Sequence, residues 1–344
     1  MKELGFAAAG VAAVEPMDPA PLRDWLAAGY GAEMGYLQRH LPVRGKLDAV
    51  LPGARSVICV ALPYGGLQRG EPPAGAVAGY AQGADYHDVV HGLLKRVWEE
   101  IHFRHPEATG RIFVDGGPLP ERELARRAGL GWVGKHGCLI APGLGSQFVL
   151  GEILTTLPLE PTSPLEGSCG DCRSCLQACP TGALVAPGII DARRCLSYLT
   201  IEHKGPIPLD IRPLLGGRVF GCDTCQAACP HNHGVGEDVA PLILDLPAVL
   251  AITEEEFRQR FRGTALYRTK RRGLLRNACV ALGNLRDPSA IPALQAALHD
   301  AEELVRSHAT WAFEHYAVGG MGHPIIDRDD DSGSPVPRGN SAIT

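Results

Sequence analysis

Short apolar runs closed by turn residues begin the pattern. Ser56-Val57-Ile58-Cys59-Val60-Ala61-Leu62 stops at Pro63, and Arg111-Ile112-Phe113-Val114 stops at Asp115-Gly116-Gly117. Runs of this length, bounded by proline or glycine, predict buried strands. Between them Val89, Val90, Leu93, Leu94, Val97, Trp98 and Ile101 recur every three or four residues, which predicts an amphipathic helix from about Tyr86 to Phe103. A second helix is expected from Pro120 to Ala128, stopped by Gly129, and a further strand from Gln147 to Thr155. Residues 1–160 thus read as an α/β domain. The stretch from Pro63 to Gly83 is rich in glycine and proline and has no period, so it is expected to be a long loop, either a functional lid or disordered. Pro158, Pro161 and Pro164 mark a linker.

From about Thr253 the period becomes helical. Leu274, Leu275, Ala278, Cys279, Leu282 and Leu285 form one stripe, Ile291, Leu294, Ala297 and Leu298 a second, and Leu304, Val305, Ala309, Ala312 and Phe313 a third. Short helices with an Asp-Pro turn and apolar inner faces resemble HEAT-type repeats, and so few of them must lean on the rest of the protein. Residues 251–320 are expected to form this helical unit. Residues 321–344, with Asp-Arg-Asp-Asp-Asp and no apolar period, are expected to be disordered.

Cysteine spacing changes the picture most. Cys169, Cys172, Cys175 and Cys179, followed by Pro180, form the bacterial ferredoxin run, in which three thiolates hold one 4Fe-4S cube and the fourth reaches a second. Downstream stand Cys222, Cys225 and Cys229 before Pro230, with Val219 where ferredoxin spacing would put another cysteine. One cube takes Cys169, Cys172, Cys175 and Cys229. The other has Cys179, Cys222 and Cys225, and Cys195 is the natural fourth ligand. Structural zinc is the alternative for paired Cys-x-x-Cys. Residues 161–250 therefore read as a ferredoxin-like two-cluster domain, and the whole as a multi-domain α+β protein. Cys59, Cys138 and Cys279 stand in apolar surroundings and read as core.

Composition adds limits. Net charge is −5, so a polyanion must be met by a local patch rather than by the global field. Eleven cysteines in 344 residues, clustered at metal spacing, do not make a disulfide scaffold. No start resembling a secretory signal and no apolar run of roughly 18 residues is seen, and a cytoplasmic location is expected.

Two clusters relay single electrons, and an electron carrier alone would not need 160 residues in front. Asp115, at a strand end before paired glycines, is the candidate acid there, though a turn or helix cap would also suit it. Gly129 to Gly137 includes Gly-x-Gly-x-x-Gly but follows a helix, so a nucleotide fingerprint is weak and a cofactor-wrapping or plain connecting loop remains. Asp85 reads as the N-cap of its helix. Arg258, Arg260, Arg262, Arg268, Lys270, Arg271, Arg272 and Arg276 lie in one stretch without an acidic residue, the footprint of a nucleic-acid surface or of a solvated face.

The order of these parts resembles the epoxyqueuosine reductases, over nearly the whole chain. The residues that carry the resemblance are Tyr80-Ala81-x-Gly83-x-Asp85-Tyr86-His87, Arg127 to Lys135, Cys195-Leu196-Ser197-Tyr198-Leu199-Thr200-Ile201-Glu202 and Arg276-Asn277. The resemblance implies reduction of the epoxide of epoxyqueuosine, at the wobble position of a tRNA, to the alkene. It implies electrons passing from an unidentified donor through two 4Fe-4S clusters to a cobalamin between the first two domains, with Asp115 as the proton donor. It further implies that Gly134, Lys135, His136, Ser197 and Glu202 line the cofactor together with Asp115. His203, Lys204, Arg268, Lys270, Arg271, Arg272 and Arg276 would meet the anticodon stem-loop. The alternatives are a reductive dehalogenase-like cobalamin enzyme and a non-catalytic iron-sulfur or RNA-binding protein.

Overall fold

The apolar runs pair into one four-stranded sheet in the order Ala8–Ala13, Ser56–Pro63, Phe148–Thr155, Gly110–Phe113. The structure, a computed structural model, describes residues 1–236 and 239–318. Every neighbouring pair in the sheet is antiparallel. The α/β expectation for residues 1–160 is thereby corrected to α+β: helices cover the sheet, but no parallel crossover exists in it. Asp115 stands at a strand end without the switch point that parallel sheets place there.

Ser56–Pro63 reads as a continuous apolar run because both faces are covered. Ile58, Val60 and Ile153 pack with Val90 and Leu94 of helix Tyr86–Arg104. Val57, Cys59, Ala61 and Leu154 pack with Leu124 and Ala125 of helix Glu121–Arg127. Alternation in a strand puts successive side chains on opposite faces, so both helices are needed to bury it. A Cβ at Gly151 would stand 2.5 Å from Val90, which is why the long helix can seat against the sheet there.

The 63–83 stretch is not a free lid. Ala76–Val77 pairs in parallel with Arg218–Phe220, and a short 3-10 turn covers Gly79–Ala81. Val77, Ala78 and Ala81 are buried. A Cβ at Gly75 would collide with the Leu244 carbonyl. The segment is therefore a strap that ties the sheet to the cysteine-rich region, its irregular backbone satisfied by distant partners. The proline linker also has a partner, since Thr162 exchanges hydrogen bonds with Val11 on the edge strand.

The helical stripes become Lys270–Leu285, Ile291–Ala297 and Glu303–Val318. They share one core with the strap and the cysteine-rich region, running through Val77, Phe220, Phe257, Leu274 and Ala312. Gly283 lets the first and third helices approach, with its absent Cβ 2.9 Å from Ala312. His308 accepts from the Ile207 N–H (3.1 Å) and so fastens the third helix to the preceding region. Residues 321–344 lie outside the described residues.

Candidate active site and cluster pockets

Strand Gly110–Phe113 delivers Asp115 into a turn where its own φ is 47°, a left-handed value that a non-glycine residue adopts only when the surroundings hold it. Tyr86, in the first turn of its helix, donates to Asp115 Oδ2 at 2.5 Å. His87 Nε2 lies 3.7 Å from the same oxygen. Asp85 caps that helix, accepting the His87 N–H at 3.0 Å, and also meets His87 Nδ1 at 2.7 Å. His87 is thus held between two carboxylates. The Asp115 carboxyl is still 54% exposed, so an incoming group can reach it. Burial and the Asp115 charge push the Tyr86 phenol far up, which keeps it a donor.

These groups flank a cavity of about 320 Å³ where the first domain, the cysteine-rich region and the helical region meet, with Tyr80, Tyr86, His87, Ile201, Phe220 and Arg268 in its wall. Arg268 pairs with Glu202 at 3.3 Å. Tyr36 is raised by burial, then by Glu202, with Arg268, Asp115 and Arg44 also in electrostatic reach, so all five converge.

Beneath the Asp115 turn lies a second carboxyl pair. Glu152 is fully buried on the central strand, opposite Cys59 and Phe113, and both its oxygens are out of water with no donor. Glu121, on the neighbouring helix, lies in electrostatic reach of it and of Asp115. Burial and the Asp115 charge push Glu121 up to about 7, with Arg44 and Arg122 opposing. Burial, with the Glu121 and Asp115 charges, pushes Glu152 up as well. Tyr36, Arg44, Glu121 and Glu152 were missed in the sequence. The one available signal was an acid inside the apolar run Phe148-Val149-Leu150-Gly151-Glu152-Ile153-Leu154.

The cysteines separate into two sets. Cys169, Cys172, Cys175 and Cys229 wall one cavity with Lys135, His136, Pro230 and His231. Cys225 has Cys138, Cys222, Cys195 and Cys179 in electrostatic reach, and Cys195 has Cys222 and Cys179. Among the described residues no three His, Cys, Asp or Glu side chains are grouped so as to hold a single ion. Four thiols around a space suit a cube better than one zinc. Burial pushes Cys195 up to about 11, a penalty on the thiolate that iron's positive charge would offset.

The loop expected at the cofactor lies beside the first cysteine pocket. Gly134 donates its N–H to the Cys138 carbonyl, and Lys135 Nζ donates to the Gly170 (2.5 Å) and Cys172 (2.9 Å) carbonyls. His136 is buried against the Cys169 pocket. The hairpin formed by Trp132–Val133 and Leu139–Ile140 aims this loop at the cysteines, so Lys135 and His136 face a cluster pocket and not the Asp115 cavity. Ser197 follows Cys195 in the first turn of helix Leu196–Ile201.

The basic stretch is not one face. Arg276 is 1% exposed, donating to the carbonyls of Leu199 (2.6 Å), His203 (2.9 Å) and Gly205 (2.7 Å). Arg271 is committed to Asp300 (2.5 Å) and the Ile252 carbonyl. Neither can serve a phosphate, because helix Lys270–Leu285 turns both inward. Its other exposed members include Lys270, with Nζ 4.8 Å from the Tyr267 ring, and Arg272. Lys204 is exposed, with Arg268 and Arg272 in electrostatic reach. His203 is half-buried between Glu33 (3.3 Å) and the Pro206 carbonyl (3.0 Å).

Two families match the chain. One described as "Epoxyqueuosine reductase QueG, DUF1730" covers residues 44–116, and a "4Fe-4S double cluster binding domain" covers residues 168–232. Relatives named epoxyqueuosine reductase include those of Pseudomonas aeruginosa, 41% identical with 92% of each chain covered, and Escherichia coli, 39% identical with 90% of this chain and 86% of that one covered. A crystal structure of epoxyqueuosine reductase with an epoxyqueuosine-modified tyrosine tRNA stem loop is 33% identical, with a TM-score of 0.80 over 92% of this chain and 88% of that one. Another, from Bacillus subtilis with its catalytic aspartate loop swung out of the active site, is 32% identical with a TM-score of 0.83 over the same shares.

Proposed function

Because the chain belongs to the epoxyqueuosine reductase family, we propose that it reduces epoxyqueuosine in the tRNA wobble position to queuosine, with Asp115 protonating the departing oxygen. Going from epoxide to alkene takes up two electrons and two protons and releases the oxygen as water. An alkoxide leaves poorly at neutral pH unless it is protonated as it forms. The observation that carries the reading is the half-exposed Asp115 carboxyl, held by Tyr86 on a left-handed turn at the edge of a cavity that the cysteine-rich and cationic segments also reach.

Each residue has a task in this reading. Tyr86 steadies the Asp115 carboxyl, and His87 gives a path for its reprotonation. Two sets of four thiols hold the clusters, one with Cys169, Cys172, Cys175 and Cys229, the other with Cys179, Cys195, Cys222 and Cys225. Electrons come from an external donor. Tyr80, Tyr86 and Arg268 in the cavity wall, with Tyr36 and Glu202 in electrostatic reach of Arg268, would hold cobalamin together with Asp115. Bound there, cobalamin supplies a reducing metal centre, and the protein supplies orientation and the proton.

Residues 1–160 form the cofactor and substrate part, 161–250 the cluster part and 251–320 the helical part that meets tRNA. Lys204, Arg268, Lys270 and Arg272 would meet the anticodon stem through its phosphates. The solved relative with a modified tRNA stem loop supports that partner. The described residues contain no helix long and apolar enough to cross a membrane. Anaerobic incubation with epoxyqueuosine-containing tRNA, cobalamin and reductant, followed by nucleoside analysis, tests the reading. Queuosine is the expected product, and unchanged epoxyqueuosine with all cofactors bound would refute it.

A further inference from the structure

His136 lies in the loop that the Trp132–Val133 and Leu139–Ile140 hairpin carries to the first cysteine pocket. Its Nδ1 faces the Cys138 backbone N–H at 3.1 Å. A ring nitrogen that accepts a backbone N–H carries no proton, so the neutral ring holds its proton on Nε2. The tautomer is thereby set by the backbone.

Nε2 is out of water and has no partner among the described residues, in a residue only 2% exposed. A donor buried in that way is costly unless an acceptor stands in front of it. The cavity the ring helps to wall is otherwise bounded by Cys169, Cys172, Cys175 and Cys229, by Lys135, and by Pro230 and His231. Lys135 is a donor already spent on two carbonyls. His231 sits edge-on to Trp132 at 5.2 Å, and Trp132 Nε1 is a second buried N–H without a partner among the described residues. The acceptors such a space can supply are sulfurs.

We propose that His136 donates its Nε2–H to a sulfur of the 4Fe-4S cluster held by Cys169, Cys172, Cys175 and Cys229, and so raises the reduction potential of that cluster. This rests on the two-cluster reading above. A hydrogen bond to a cluster sulfur stabilises the added electron's charge, and such bonds are among the features that set cluster potentials. Asp171 and Arg173, between the ligands of this cluster, are exposed, so an external donor can approach it. A raised potential suits a cluster that takes up electrons first.

Two substitutions separate donation from loop support. His136→Asn puts an amide oxygen near the Nδ1 position, where it can keep the Cys138 bond, but leaves no donor reaching the cavity. His136→Gln puts an amide N–H near the Nε2 position. Anaerobic EPR-monitored redox titration of the whole protein should show one of two midpoint potentials lowered in His136→Asn, by about a tenfold change in equilibrium constant, which is about 59 mV for one electron. The other potential should stay in place, and His136→Gln should recover most of the shift. Equal potentials in His136→Asn and the unaltered protein, or equal shifts in both variants, would overturn the proposal. A measurement without altering His136 stands beside this: pulsed EPR of the reduced His231→Phe protein labelled with ¹⁵N-histidine should show a weakly coupled histidine nitrogen, and its absence would also overturn it. Fewer than two cubes by iron and sulfide analysis of the unaltered protein would bring down the two-cluster reading and this inference together.

Discussion

At the residue scale, Asp115 combines three properties that rarely meet: a left-handed backbone, an exposed carboxyl and a tyrosine donor on one of its oxygens. Asp115→Asn retains the shape and removes the proton. Turnover should fall by about 10²-fold or more, with cluster and cobalamin spectra unchanged. Normal turnover in that variant would remove Asp115 from the chemistry. Glu121 below it makes a separate, thermodynamic prediction. Its carboxyl is pushed up to about 7 by burial and by Asp115, from an ordinary 4.5. Between those values the folded protein binds more protons than the unfolded chain, so this contribution to stability is full below about 4.5 and is lost as pH rises through about 7. In Glu121→Gln that part of the pH dependence should disappear. Urea midpoints at pH 5, 6, 7 and 8 for both proteins measure it, and parallel curves would show that Glu121 does not titrate there.

At the scale of elements, helix Leu196–Ile201 is the joint between clusters and cavity. It starts at Cys195 and ends at Glu202. A six-residue helix leaves most of its carbonyls without intrahelical partners, and the core supplies them. Arg276 donates to Leu199 and to the two carbonyls just beyond the helix, while Asn277 donates to Thr200 and Val219 at 2.8 Å each. Arg276→Ala leaves these acceptors buried and unpaired and should cost about 3 kcal/mol. Calorimetry should record the loss, and the cluster that includes Cys195 should become the more easily lost of the two. An unchanged unfolding temperature would mean that water replaces the guanidinium.

At the scale of the whole molecule, the strap at 63–83, the cysteine-rich region and the helical tail share one core, so cavity, clusters and cationic surface are held in fixed relation. The cationic surface is smaller than the run of basic residues suggested. Lys270→Glu with Arg272→Glu should weaken binding of a tRNA stem-loop and reduce the slope of log affinity against log salt by about 0.7 to 0.9 for each phosphate that is no longer neutralised. Fluorescence anisotropy across salt concentrations checks this, and an unchanged slope would make the surface a solvated face. Arg271 is unsuited to the experiment, since a glutamate there would stand beside Asp300 and disturb the fold rather than the surface.

The local features were legible in the chain because their causes are local. Cys-x-x-Cys spacing sets how thiols present themselves over a few residues, and Cys169, Cys172, Cys175 and Cys229 wall one cavity together. The apolar period marked helix Tyr86–Arg104 to within a residue of its end, and Asp85 caps it as expected. What the chain could not state was decided by contacts between distant segments. Strand direction depends on how the sheet closes, so α/β became antiparallel α+β. A charge run does not say which way each side chain turns, so Arg271 and Arg276 proved internal. Loop 134–136 was aimed by its hairpin at the first cysteine pocket, and Glu121 and Glu152 met beneath Asp115 because helix Glu121–Arg127 and strand Phe148–Thr155 are neighbours only in three dimensions. The residue types that carry the chemistry were determined by the sequence alone, whereas which of them face one another, and which are withdrawn from solvent, was decided by tertiary packing, because burial and charge pairing are properties of neighbours far apart in the chain.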